Sequence, residues 1–178
     1  MKLWLKIIMV MSAFGILYIS FTRAGLEKVN DDEQYDRLRN ISISYQQKET
    51  GNWQCYKLPE SRILSNNPIY FLKKIRDNLW IQFSRNPIDK SRITLLVADK
   101  KISETITLYK KENNNRFLKE NMDEAVKKIE SAQKIIDQLN QKDLEVKKIK
   151  QKIDQTNAFY QYIIERISLN KEISKCDE

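Results

Sequence analysis

The sequence predicts an all-α protein, in which an N-terminal hydrophobic helix precedes an antiparallel bundle of about four helices with long hairpin arms. The chain of 178 residues contains only 3 Gly and 3 Pro, and all six lie at or before Pro87. Its second half therefore lacks the residues that most often form turns and end helices. From residue 67 onward, apolar residues recur every three or four positions, which is the spacing of one helix face.

The composition excludes several kinds of active site. There is no His, so His-based catalytic triads and His metal sites are excluded, and the few Gly residues exclude Gly-rich phosphate loops. The net charge of +8 is spread along a chain in which 31% of residues are charged, so it does not by itself indicate nucleic acid. We therefore expect a non-enzymatic protein with no cofactor and no metal, and nucleic acid is not the expected partner.

Residues 1–24 have the pattern of an N-terminal membrane anchor or signal peptide. Lys2 and Lys6 precede an uncharged run from Ile7 to Phe21, and a basic start followed by an apolar run is typical of targeting segments.

Two interpretations of this segment remain open. If it is an uncleaved anchor, residues 3–21 contact the membrane, and the protein is tethered there. If it is a signal peptide, cleavage near Ala24 releases a secreted protein. Both interpretations place residues 25–178 outside the cytoplasm.

Residues 25–57 are predicted to be a polar linker with a short hairpin. Ile41, Ile43 and Tyr45 alternate with serines, which is the period of a strand, and residues 49–52 offer a turn. Because an isolated hairpin is marginally stable in water, it would have to pack on the helices.

Residues 58–173 are predicted to be the helical domain, and residues 174–178 a tail. Asn67-Pro68 and Asn86-Pro87 each combine an N-cap residue with Pro at the first helical position, so they predict two helix starts. The four predicted apolar faces are Ile69, Leu72, Ile75 (or Arg76), Leu79 and Phe83; Leu95, Ala98, Ile102, Ile106 and Tyr109; Leu118, Met122, Ala125, Ile129, Ala132, Ile136 and Leu139; and Val146, Ile149, Ile153, Thr156, Tyr160, Ile163 and Ile167.

The last two faces follow the heptad spacing of a coiled coil. Such a seam requires a partner helix, and short breaks between helices favour antiparallel neighbours. We expect these seams to bind a partner protein or to mediate self-association.

Two groups of residues are candidates for a site. Cys55 and Cys176 are the only cysteines; in an exported protein they form one disulfide, or they are two unrelated thiols. The second group is polar and would meet where the two Asn-Pro-capped helices converge. It either binds an anionic group or a partner, or forms a salt-bridge network that fixes the angle between the helices. Its members are Arg76, Asp77, Arg85, Asp99, Lys100 and Lys101.

A further set of residues carries a family resemblance. The set is Leu58-Pro59, Ile63-Leu64, Asn67 to Lys73, Arg76-Asp77, Arg85-Asn86-Pro87 with Lys90, and Ala98 to Lys101. On these residues, the chain from about 58 to 139 resembles a bacterial domain family of unknown function found in small exported or membrane-anchored proteins. The resemblance implies an all-helical, extracytoplasmic module, and it carries over no catalytic residue.

These observations lead to one functional hypothesis and two alternatives. We expect a non-enzymatic, envelope-facing helical scaffold or protein-interaction module tethered by the N-terminal hydrophobic segment. One alternative is the extracytoplasmic part of an anti-sigma-like membrane signalling regulator. The other is a secreted soluble binding protein.

Overall fold

The computed structural model describes residues 40–48, 51–61, 63–112 and 115–176. These residues form one hairpin and four helices. The elements are β1 (Asn40–Gln46), β2 (Trp53–Pro59), α1 (Tyr70–Phe83), α2 (Pro87–Glu112), α3 (Asn115–Asp137) and α4 (Leu144–Ser168). The hydrophobic segment predicted over residues 1–24 lies outside the described residues. Among the helices that are described, none is long and apolar enough to cross a membrane.

Helix α2 is the central element, and it contacts α1, α3, α4 and the hairpin. Residues 93–99 and 101–106 are buried without interruption, because neighbours cover every side of the helix. The predicted face with Leu95, Ala98 and Ile102 is confirmed as core. It is only one of several buried faces of α2.

The seams of α3 and α4 are confirmed as core faces. Ile129 and Ile136 of α3 and Ile149 and Ile153 of α4 are each at most 2% exposed, and all four belong to the same hydrophobic core. The seams are therefore packed inside this chain. Partner binding through these seams stays a prediction, but their side chains already pack against other residues of the same chain.

The expectation of an all-α fold needs one correction, because β1 and β2 form a two-stranded antiparallel sheet. Ile43 pairs with Tyr56 across the sheet, and Tyr45 and Leu58 lie on the same buried face. The sheet is stable here because the helices cover that face. The predicted turn contains Gly51, whose φ of 69° favours glycine.

Three aromatic rings join the hairpin to α4. The ring of Tyr56 stacks on Phe159 with centroids 4.5 Å apart, and Tyr45 meets Phe159 edge to face at 5.4 Å. Strand β2 also runs across the predicted boundary between residues 57 and 58. The hairpin and the helices therefore share one core.

The C-terminal segment pairs with the outer edge of β1. The Ser44 amide donates to the Ser174 carbonyl at 3.2 Å, and the Cys176 amide donates to the Ser42 carbonyl at 3.1 Å. Ile43 and Lys175 form an isolated antiparallel bridge. Part of the predicted tail thus covers one exposed strand edge.

The two Asn-Pro signals behave differently. Asn86 caps α2 as predicted, and its Oδ1 accepts from the Ile88 amide at 3.0 Å. Asn67 accepts from the Ile69 amide at 3.0 Å in the same way, but the residues after it form a turn. Helix α1 begins only at Tyr70, two residues later than predicted.

Candidate interaction site

Helix α1 packs on the bundle by its polar side, and its apolar side faces solvent. Tyr70, Lys73 and Asp77 are the buried residues of this helix. On the opposite side, Phe71, Leu72, Ile75 and Phe83 expose 51–65% of their surface, and Leu79 is half-buried. We call these five residues the apolar face of α1. The predicted stripe of this helix, in which Ile69 takes the place of Phe71, is therefore not a face that packs in the bundle, since Ile69 is also 50% exposed.

This expectation failed because the spacing of residues does not show which side of a helix is buried. Tyr70, Lys73 and Asp77 share one side of the helix at spacings of three and four, and the apolar stripe has the same period on the opposite side. The pattern therefore shows which residues share a face, but not which face a neighbour covers. Here the neighbouring helices carry charged partners for α1, and Ser61, in the connection before α1, adds a hydroxyl.

The first set of these partners surrounds Glu104, a fully buried residue of α2. Its carboxylate pairs with the Lys73 ammonium and accepts from the Tyr70 hydroxyl at 2.7 Å and from Ser61 Oγ at 3.1 Å. Lys73 also donates to Ser61 Oγ at 2.5 Å and to the Ile63 carbonyl at 3.3 Å. The buried charges are thus both paired and hydrogen-bonded, which burial requires.

A second set of contacts links α1 to α3. The Lys101 ammonium of α2 donates to the Tyr70 hydroxyl oxygen and pairs with Glu124. Lys74 of α1 pairs with Glu124 at 2.5 Å and with Glu120 at 3.3 Å. Burial raises the pKa of the Tyr70 hydroxyl, with the Glu104 carboxylate adding to the effect, so this hydroxyl remains a donor.

Lys101 and Lys74 keep the carboxyl of Glu124 ionised. Burial acts to raise the pKa of its carboxyl, but the hydrogen bonds from Lys101 and Lys74 outweigh burial and bring the pKa below its ordinary value. Glu124 therefore stays ionised and holds α1 and α2 to α3.

Four of the six predicted polar residues lie near α1. Arg76 pairs with the adjacent Asp77 at 2.6 Å. The Lys100 ammonium lies 5.3 Å from the centroid of the Trp80 ring, a cation–π contact. Burial lowers the pKa of Lys100. Lys101 belongs to the network described above.

The other two residues of the predicted cluster lie elsewhere. Asp99 is fully buried and accepts from the Tyr56 hydroxyl of β2 at 3.0 Å, so it faces the hairpin. Thr156 of α4 lies 2.6 Å from the same hydroxyl. Arg85 is exposed in the connection between α1 and α2. Asp77 and Asp99 therefore do not form a carboxylate pair for acid–base chemistry.

A cavity of about 360 Å³ lies between α1, α2 and α3. We call it the lysine cleft, because five lysines and only two carboxylates, Asp77 and Glu124, line it. The lysines are Lys73, Lys74, Lys101, Lys127 and Lys128. Asn78 and Ser131 add an amide and a hydroxyl.

Cys55 and Cys176 form a disulfide, and their Cα atoms are 6.1 Å apart. The bond joins β2 to the C-terminal segment that pairs with β1, and it spans 121 positions of sequence. It therefore ties the end of the chain to the hairpin.

Few features of the sequence indicated the residues that hold α1 on the bundle. Three of these residues are charged, and charged side chains are seldom buried. The sequence therefore does not identify them as packing residues: Lys73, Glu104 and Glu124, together with the polar ring of Tyr70. The one available signal was the helical spacing of Tyr70, Lys73 and Asp77. Among the residues that the structure describes, no group of three acidic, cysteine or histidine side chains lies in position to bind a metal ion.

These features define a mostly helical domain with a disulfide-tied hairpin and an outer helix docked by its polar side. Residues 62–158 match the family described as a domain of unknown function, DUF5667, and the chain belongs to this family. The match runs from the approach to α1 into α4 and covers more than half of the chain. No curated protein and no solved structure gives a significant match.

Proposed function

We propose that this protein is a non-enzymatic, envelope-facing interaction module that is tethered by its N-terminal segment and binds a partner protein through the apolar face of α1. The observation that carries the proposal is the exposure of that face. Four large apolar side chains expose half or more of their surface on one side of one helix. Contiguous exposed apolar surface of this kind is typical of interaction sites.

The shape of the face favours a helix or another apolar surface of a partner protein. Leu72, Ile75, Leu79 and Phe83 follow one another at helical spacing, which is how helix-in-groove recognition presents its anchors. The stripe extends over about three turns, or about 17 Å. The seams of α3 and α4 are poorer candidates, since the core already contains them.

Two observations support a location outside the cytoplasm. Residues 1–24 have the basic and apolar pattern of a targeting segment. The disulfide between Cys55 and Cys176 is a type of bond that persists in oxidising compartments and is rare in the cytosol. Both fit a protein whose helical domain lies on the outer side of a membrane.

Site-specific photo-crosslinking of the full-length chain in its native envelope tests this proposal. A photo-reactive residue replaces Ile75 on the apolar face or, as a matched control, Gln151 on the exposed side of α4. We expect one adduct of defined mass from position 75, and its loss in the Leu72→Ser/Phe83→Ser background.

The outcomes separate the occupants of the face. An adduct with the mass of a second protein supports the proposal, whereas an adduct of twice the chain mass indicates a second copy and contradicts it. The absence of an adduct at position 75, or the same adducts from position 151, contradicts it as well.

A further inference from the structure

The lysine cleft contains more positive charge than its own carboxylates compensate. Each nearby carboxylate already has a cation: Glu104 has Lys73, Asp77 has Arg76, and Glu124 has Lys101. Glu120 shares Lys74 with Glu124.

Three lysines around the cleft form no ion pair within the described part of the chain. The Lys128 ammonium donates only to the neutral Asn78 Oδ1, at 3.2 Å. Lys127 is exposed on the same turn of α3. Lys100 does not line the cleft itself, and its ammonium contacts the ring of Trp80 instead of a carboxylate.

The surrounding groups are suited to an anion. Lys127, Lys128 and Ser131 of α3 lie across the cleft from Lys74 and Asn78 of α1. Ammonium groups are compact point charges with three donors each, and the amide and hydroxyl add neutral donors. Charges of one sign on the walls of a cleft raise the local concentration of the opposite ion.

We propose that the lysine cleft is a binding site for an oxyanion, namely the phosphate or carboxylate group of a ligand. The cavity volume of about 360 Å³ lies at the lower end of the range for ligand sites. It therefore suits a small molecule or one charged group of a larger one. The site is separate from the apolar face and does not require a partner protein there.

The state of Lys100 is consistent with this excess of positive charge. Burial lowers the pKa of its ammonium, and the nearby cations Arg76 and Lys73 act in the same direction. Asp77 and Glu104 oppose these effects without cancelling them. An anion bound in the cleft would reduce this repulsion.

Calorimetric titration of the full-length chain in a non-ionic detergent tests the proposal. The probes are inorganic phosphate and acetate, with ionic strength held constant by chloride. Lys127→Ala/Lys128→Ala removes two cleft lysines. The matched control, Lys147→Ala/Lys148→Ala, removes two exposed lysines from α4.

We expect saturable binding of at least one probe to the wild-type chain. Because the cleft variant removes two of the ammonium groups that would contact the anion, it should bind about tenfold more weakly or worse, and the control within about twofold. Binding of phosphate alone indicates a phosphate ligand, and binding of acetate indicates a carboxylate ligand; either result supports the site.

Three results would overturn the proposal. The first is that neither probe binds saturably. The second is an equal loss of affinity in both double variants, which would mean general charge screening. The third is unchanged affinity in Lys127→Gln/Lys128→Gln, a less drastic change that keeps polar side chains at the mouth of the cleft.

Discussion

Lys73 of α1 and Glu104 of α2 form an ion pair whose side chains are only 6% and 0% exposed. A buried ion pair adds little net stability when both partners are present, because desolvation offsets the attraction. It does impose a geometry, since neither charge tolerates burial without the other. This pair therefore fixes which side of α1 faces the bundle.

Removing one partner of this pair should destabilise the protein strongly. Glu104→Leu leaves the Lys73 ammonium buried without a counter-charge, and we expect the free energy of unfolding in urea to fall by about 3–5 kcal/mol. The double variant Lys73→Met/Glu104→Leu should recover most of the loss. A single variant that costs under about 1 kcal/mol contradicts the geometry described here.

Polar substitutions on the apolar face should leave stability almost unchanged. Leu72→Ser/Ile75→Ser alters side chains that are already half exposed, so we expect a change within about 1 kcal/mol. Ile153→Ala, in the core, should cost about 2–5 kcal/mol. Both values follow from urea unfolding. A core-sized loss at Leu72 and Ile75 would mean that α1 buries this stripe.

Loss of the disulfide should destabilise the domain without changing its fold. The bond closes a loop of 121 positions, for which chain entropy predicts about 4–5 kcal/mol. We expect Cys55→Ser/Cys176→Ser to lower the free energy of unfolding toward that amount and to keep the far-ultraviolet circular dichroism spectrum. If reduction leaves the unfolding midpoint of the wild-type chain unchanged, the bond does not constrain the chain.

Acid should weaken the attachment of α1 through Glu124. The pKa of this carboxyl lies below its ordinary value of 4.5, because Lys101 and Lys74 outweigh burial. A carboxyl with a lowered pKa in the folded state stabilises the fold above the ordinary value, and this stabilisation is lost as the pH falls through the lowered pKa. Stability should therefore fall as the pH drops below the ordinary value of 4.5.

The variant Glu124→Gln isolates this effect. We expect it to be less stable than the wild type at neutral pH and to lose less stability on acidification, measured by urea unfolding across the pH range. Glu130→Gln, an exposed change on the same helix, should follow the wild-type curve. An unchanged pH dependence in Glu124→Gln would refute the assignment.

The sequence predicted the structure correctly where a repeated apolar pattern could be buried in only one way. The heptads through Ile129 and Ile153 identified two core faces correctly, because long apolar seams have to be covered. The alternation at Ile43 and Tyr45 indicated the hairpin. Its packing on the core depended on Phe159, which lies off the predicted seam of α4.

The sequence was insufficient where a tertiary contact overrode a local preference. The stripe at Leu72 and Ile75 has the pattern of a core face, yet the long-range partners Glu104 and Glu124 hold the opposite side of α1 inward. Those partners lie about 30 to 50 positions away, so no local pattern could reveal them. The predicted polar cluster placed Asp99 with Asp77. In the structure Asp99 instead accepts a hydrogen bond from the Tyr56 hydroxyl of the hairpin, which is also distant in sequence.

Hydroxyl-radical footprinting with mass spectrometry tests the outward orientation of the apolar face most directly. Oxidation rates of Tyr70, Phe71 and Phe83 are measured in the folded full-length chain and divided by the rates in the urea-unfolded chain. Tyr70 is 8% exposed, whereas Phe71 and Phe83 are 58% and 65% exposed. We predict strong protection at Tyr70 and little at the two phenylalanines. Protection of Phe71 and Phe83 together with free oxidation of Tyr70 would contradict this account of α1.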